Sequence, residues 1–143
     1  MNTSKPRCQL NWKYPATLEN VEHVCSAVTQ TLGKYPVHKK DLFAIELLLR
    51  EALNNAVLHG CHLNPLLTFS CGLVVIDREV TIEVSDEGDG FDWRGRLKAQ
   101  PRSSDESGRG LSIYSIYANS IKFNESGNCV TLTLIFNQGE KDD

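Results

Sequence analysis

The chain has 143 residues, 41% hydrophobic and 23% charged, the make-up of a globular domain with a full core. A formal net charge of -3 removes the electrostatic case for nucleic acid, which wants a basic face. No apolar run approaches a membrane span and no signal-peptide pattern opens the chain, so one soluble, cytoplasmic domain over residues 1–143 is expected, with no membrane and no direct nucleic acid among its partners.

The elements follow from periodicity. RCQLNWKYPA reads as an opening strand ending at Pro15. Thr17 is placed to cap a helix that runs to about Gly33 with Leu18, Val21, Val24, Cys25, Val28 and Leu32 as its buried face. After the linker GKYPVHKK, a long helix is predicted from about Lys40 to Leu58, burying Ile45, Leu48, Leu49, Ala52, Leu53, Ala56 and Val57. His59 suits the negative end of that helix, and Gly60 is free to close it in a left-handed conformation. LLTFSCGLVVI and EVTIEVSD read as strands around a turn at Asp77 and Arg78. Residues 92–107 lack periodicity and form a long polar loop, a feature that in a compact domain is more often functional than idle. A helix from about Leu111 to Ala118 and the strands NSIKF and CVTLTLIF end the pattern. Helices first and strands clustered late predict an α+β sandwich with its helices on one sheet face. The five cysteines (8, 25, 61, 71 and 129) form no CxxC pair and read as reduced thiols, mostly core residues.

Three polar features interrupt this plan. Glu51 and Asn55 lie one turn apart on the long helix, where Phe43, Ala44, Leu47 and Leu58 make even the outer side partly apolar. A carboxylate and an amide in such surroundings are costly unless something binds them. In VTIEVSDEGDGFD, alternation puts Asp86 on the inward side with Val84, where a ligand amino group would satisfy it. Gly88 and Gly90 then let the backbone turn tightly and approach a bound molecule. In SGRGLSIYSIYA, glycines flank Arg109 just before an apolar helix, so free N–H groups and a guanidinium face one loop: a ready phosphate site. Singly, each pattern is equally an ordinary turn or helix boundary. GxxxxGK[ST] and the dinucleotide fingerprint are absent.

Taken in order, ExxxN on a helix, DxGxGF after a strand and GRGL opening a later helix resemble the GHKL ATPase superfamily. NAVLHG and the GRGL helix look most like its single-domain branch, the anti-sigma factor serine/threonine kinases. The resemblance covers nearly the whole chain and implies a two-layer α/β sandwich, a mixed sheet with helices on one face, and an ATP lid at residues 92–107. It implies ATP and Mg2+ as cofactors. Asn55 would hold the metal, and Glu51 would be the base or orienter for the attacking group. Asp86 would read the adenine amine, with Gly88 and Gly90 shaping the pocket. Gly108, Arg109 and Gly110, completed by Leu111, would cradle the phosphates. Where the family has a threonine near the start of the last strand, this chain has Asn128, whose amide can stand in for the hydroxyl. Trp93, just after GFD, packs at the lid hinge or covers the pocket edge on this reading.

The implied activity is phosphorylation of a STAS-domain anti-anti-sigma protein, with a sigma factor or another regulator as second partner and a homodimer as the expected assembly. Two readings stand beside it. One is a nucleotide-gated binding module that sequesters a partner without chemistry. The other is a stand-alone relative of the sensor histidine kinase ATPase domain, disfavoured because the chain leaves no room for a phosphoacceptor helix pair.

Overall fold

The computed structural model describes residues 8–88 and 113–136. Strand β1 (Cys8–Pro15) leads to helix α1 (Leu18–Leu32) and helix α2 (Lys39–Asn54), which runs on into a π-helical turn, Asn55–Gly60. Strands β2 (Thr68–Ile76) and β3 (Glu79–Asp86) follow, then a helical segment over 113–117 and strands β4 (Ser120–Phe123) and β5 (Cys129–Ile135). The strands form one sheet in the order β1-β2-β3-β5-β4.

Every pairing in this sheet is antiparallel, which corrects the expected mixed sheet. The cause is local. Short turns join β2 to β3 and β4 to β5, and a hairpin can only pair antiparallel. β1, β3 and β4 run one way and β2 and β5 the other, so no two neighbours in the sheet share a direction.

Register puts the apolar residues in rows across the inner face. Cys71 lies opposite Val84 and Val84 opposite Val130; Leu73, Ile82 and Leu132 make the next row, and Val75, Val80 and Leu134 the third. All nine are buried. Cys8, Leu10 and Trp12 extend these rows along β1, and Tyr14 lies opposite Phe69. The other face carries Thr81, Ser85, Thr131 and Thr133, each partly exposed.

The helices cover the apolar rows. Thr17 caps α1 by accepting from the Asn20 N–H at 3.1 Å, and Val21, Val24, Cys25, Val28 and Leu32 are buried. Leu18, expected in that face, is 47% exposed. On α2 the whole predicted face from Ile45 to Val57 is buried, and Phe43 is 58% exposed. Full burial of a Leu, Ile or Val side chain contributes roughly 1.5–3 kcal/mol, so these layers carry the fold. Arg50 pairs with Glu22 and, at 3.7 Å, with Glu46, tying the outer sides of α1 and α2 together. Among the described residues no helix is long and apolar enough to cross a membrane.

Candidate functional site

Two ends of secondary structure meet at the site. One is the π turn that finishes α2. Its wider winding shows in the Cys61 N–H, which donates to the Ala56 carbonyl at 2.8 Å, five residues back. Such turns inside helices are frequent at functional sites. The left-handed residues come after it, at His62 and Leu63 (φ 54° and 58°), so Gly60 is not the left-handed cap that its position suggested.

Gly60 is required for a different reason. A Cβ built on it would stand 2.4 Å from Asp86 Oδ2 and 2.5 Å from Oδ1. A Cβ on Gly88 would stand 1.8 Å from the Gly60 carbonyl oxygen. The backbones of the π turn and of the segment after β3 therefore touch directly, with the Asp86 carboxylate held between them. Sequence reading missed Gly60 in this role, although its place in LHG opposite a DEG turn was the available signal.

Asp86 is the last residue of β3 and half-buried, on the inward side as alternation predicts. Its N–H donates to the Asn128 carbonyl at 2.9 Å, and its Oδ1 accepts from the Gly88 N–H at 2.7 Å. Burial pushes the Asp86 carboxyl above its ordinary range, partly offset by the Gly88 N–H, which favours the charged form.

Asn55 lies at the junction of α2 and the π turn. Its Nδ2 donates to the Tyr114 hydroxyl at 2.9 Å, which leaves the amide oxygen as the end not engaged by the phenol. Tyr114 belongs to the helical segment 113–117, is 1% exposed, and packs on Phe123 with ring centroids 6.4 Å apart. Burial raises the phenol's pKa above its ordinary range; the Asn55 bond works against this and the charge of nearby Glu51 adds to it. Glu51 is itself half-buried, one turn before Asn55.

Asn128 precedes β5. Its Oδ1 accepts from Asn124 Nδ2 at 2.6 Å and Ser126 Oγ at 3.0 Å, and its Nδ2 reaches the Gly88 carbonyl at 3.4 Å. The side chain thus braces the β4–β5 turn against the segment after β3. In the same turn Gly127 takes the left-handed conformation (φ 81°).

These groups surround one hollow. Ala52, Ala56, Val84, Phe123 and Val130 supply its apolar lining, and Asn55, Asp86, Asn128 and Tyr114 its polar side chains. A mostly apolar concavity with a few convergent polar groups is the usual form of a small-molecule site. Asn55, Asp86 and Asn128, predicted from three separate stretches, are brought together here, and Gly88 stands beside Asp86. Gly90, Gly108, Arg109, Gly110 and Leu111 lie outside the described residues, as do Trp93 and the loop 92–107. Cys61, Cys71 and Cys25 are buried free thiols, and burial pushes Cys25 to about 11 and Cys71 to about 12, which keeps both protonated and unreactive.

Comparison with known families gives the same frame. The model of the histidine kinase-like ATPase domain matches residues 14–134. The chain belongs to this family. Histidine kinase-like ATPase domains bind ATP. Among curated relatives, an anti-sigma F factor of Clostridium acetobutylicum is 25% identical over 118 residues, covering 80% of this chain and 82% of its own length. An anti-sigma F factor of Oceanobacillus iheyensis is 24% identical over 132 residues, covering 87% and 90%. The resemblance read from the three motifs, to the superfamily and to its anti-sigma branch, is borne out.

Proposed function

We propose that this chain is an ATP-dependent serine/threonine protein kinase of the anti-sigma type. It phosphorylates a STAS-domain anti-anti-sigma partner and holds a sigma factor in a nucleotide-dependent way. The reading includes a cytoplasmic setting, a homodimer and residues 1–143 working as one domain. The observation that carries it is the grouping of Asn55 and Asp86 in one hollow with Glu51 a turn away.

The donor chemistry suits Mg-ATP. Asp86 would accept a hydrogen bond from the exocyclic amine of adenine, a donor that guanine lacks at that position. The neighbouring apolar side chains suit a flat base. A single neutral amide oxygen, on Asn55, fits a hard cation that keeps several waters and is bound mainly through phosphate. When bound, Mg2+ would neutralise charge on the triphosphate. Glu51 would take the proton of the partner's attacking hydroxyl as that oxygen bonds to the γ-phosphorus, and ADP would leave with the electron pair of the broken bond. Gly90, Gly108, Arg109, Gly110 and Leu111 complete the proposal as pocket and phosphate-binding residues. Asn128 supports the pocket through its Nδ2, which reaches the Gly88 carbonyl at 3.4 Å.

The test is Glu51→Gln, which keeps size and hydrogen bonding but removes the base. With a STAS-domain substrate and labelled ATP, transfer is expected to fall on the order of 10²–10⁴-fold while ATP affinity holds. An unchanged transfer rate would overturn Glu51 as base. Transfer absent from the wild type, with partner binding still dependent on nucleotide, would favour the binding module. Autophosphorylation on histidine would favour the histidine kinase relative.

A further inference from the structure

The polar group deepest in the site belongs to neither of the two residues that drew attention to α2. Tyr114 is among the largest fully buried side chains, and its hydroxyl meets Asn55 across 59 residues of sequence. We infer that Tyr114 is a positioning residue for Asn55, fixing the amide so that its oxygen is presented to the cation that accompanies ATP. This rests on Asn55 being the cation-holding residue.

An asparagine amide has two ends of nearly equal size and opposite polarity. Only the oxygen end attracts a cation. With that end turned to the metal, the NH2 group points back into the protein and must find an acceptor, because an unpaired buried donor is costly. The Tyr114 hydroxyl, 2.9 Å from Nδ2, is that acceptor. A Phe, Leu or Ile at position 114 would pack equally well against Phe123 but would leave the NH2 unpaired. Nothing would then hold the amide in that orientation, at the expense of cation binding. The tyrosine ring is 1% exposed and packs on Phe123, which keeps the hydroxyl beside Asn55. In sequence, Tyr114 stands three residues after Leu111, so the same helix that follows the proposed phosphate-binding glycines also sets the metal-facing amide.

Tyr114→Phe removes only the hydroxyl. Nucleotide affinity is measured by calorimetry with Mg2+ and again in chelator, for wild type, Y114F, N55A and the double variant. Y114F is expected to cut the magnesium-dependent gain about three- to ten-fold, the worth of one buried hydrogen bond, and to lower the chelator affinity by less than that. N55A is expected to abolish that gain, and Y114F/N55A to be no worse than N55A, since the two act through one contact. The Asn55 side-chain NH2 resonances, identified by their absence in N55A, are expected to move in Y114F. That shift reads the contact directly in the folded protein. Equal losses with and without magnesium, additive losses in the double variant, or unmoved NH2 resonances would each overturn the inference and leave the Asn55 reading intact. A magnesium gain untouched by N55A would overturn both.

Discussion

Gly60→Ala puts a methyl group where the structure has no room. Its Cβ would lie 2.4 Å from Asp86 Oδ2 and 2.5 Å from both Oδ1 and Cγ. Favourable contact begins near 3.5 Å, so the carboxylate must retreat by about 1 Å. It cannot do so freely, because Oδ1 is tied to the Gly88 N–H at 2.7 Å and Gly88 itself abuts Gly60. Overpacking of this kind costs about 1–3 kcal/mol. Alanine in a helical backbone recovers roughly 0.5–1 kcal/mol relative to glycine. The net loss expected is about 0–2.5 kcal/mol, or at most roughly 8 °C in Tm at this chain length. The variant should therefore fold, yet a displaced Asp86 would lose the hydrogen bond proposed to adenine, and ATP affinity is expected to fall at least about ten-fold. Gly33→Ala is the control, since its Cβ comes no closer than 3.3 Å to the Thr29 carbonyl in an ordinary right-handed conformation. Thermal melts with and without ATP, and calorimetry on both variants, give the two numbers. If Gly60→Ala binds ATP within two-fold of wild type and melts with the Gly33→Ala control, the Gly60–Asp86 contact does not shape the site.

Three further outcomes are expected. Gly88→Ala is expected to be worse than Gly60→Ala, because its Cβ would meet backbone, the Gly60 carbonyl oxygen at 1.8 Å, and backbone cannot rotate away; soluble yield and Tm check it. Leu48→Ala, at a wholly buried position of α2, is expected to cost about 2–5 kcal/mol in denaturant unfolding without changing ATP affinity at temperatures where the variant is folded. Asp86 carries the opposite pH sign from a paired carboxylate. Its folded pKa is raised by burial above 3.8, so the native state holds its proton longer and stability falls as pH rises from 3.8 through the raised value. Asp86→Asn removes that decline, so nucleotide-free denaturant melts are expected to show the variant gaining on wild type as pH rises and more stable at neutral pH, with weaker ATP binding. A stability difference that does not change with pH would refute the reading.

Much of the fold was legible because a single period decides it. Alternation gave the limits of β3 and the inward side of Asp86, and the three- to four-residue step gave seven buried positions of α2 and its π turn, though Ala44, assigned to the outer side, is buried as well. Period says which side of an element is apolar, but not how far the neighbouring layer extends. That is why Leu18, in phase with the rest of α1, is left 47% exposed at the helix start. Strand direction is a property of connections: two short turns impose the β2–β3 and β4–β5 pairings, and the long connections behind β1–β2 and β3–β5 leave no mark in strand composition.

The site was legible in part for a related reason. Asp86 and Asn55 stand out locally, each a polar group where the pattern demands an apolar one. Gly60 and Tyr114 do not, because a glycine after a helix and a tyrosine in an apolar helix both have ordinary local explanations. Their importance exists only between elements: Gly60 against a carboxylate 26 positions on, Tyr114 against an amide 59 positions back. The cost of placing Glu51 and Asn55 among apolar neighbours has its physical answer in that geometry. Among the described residues no polar or charged residue is fully buried. Asn55 is half-buried in the lining of the hollow and Glu51 is half-buried one turn before it, so both avoid the full cost of desolvation. The inward-facing NH2 of Asn55, which would otherwise bear that cost, is met by the one phenol that the core provides there.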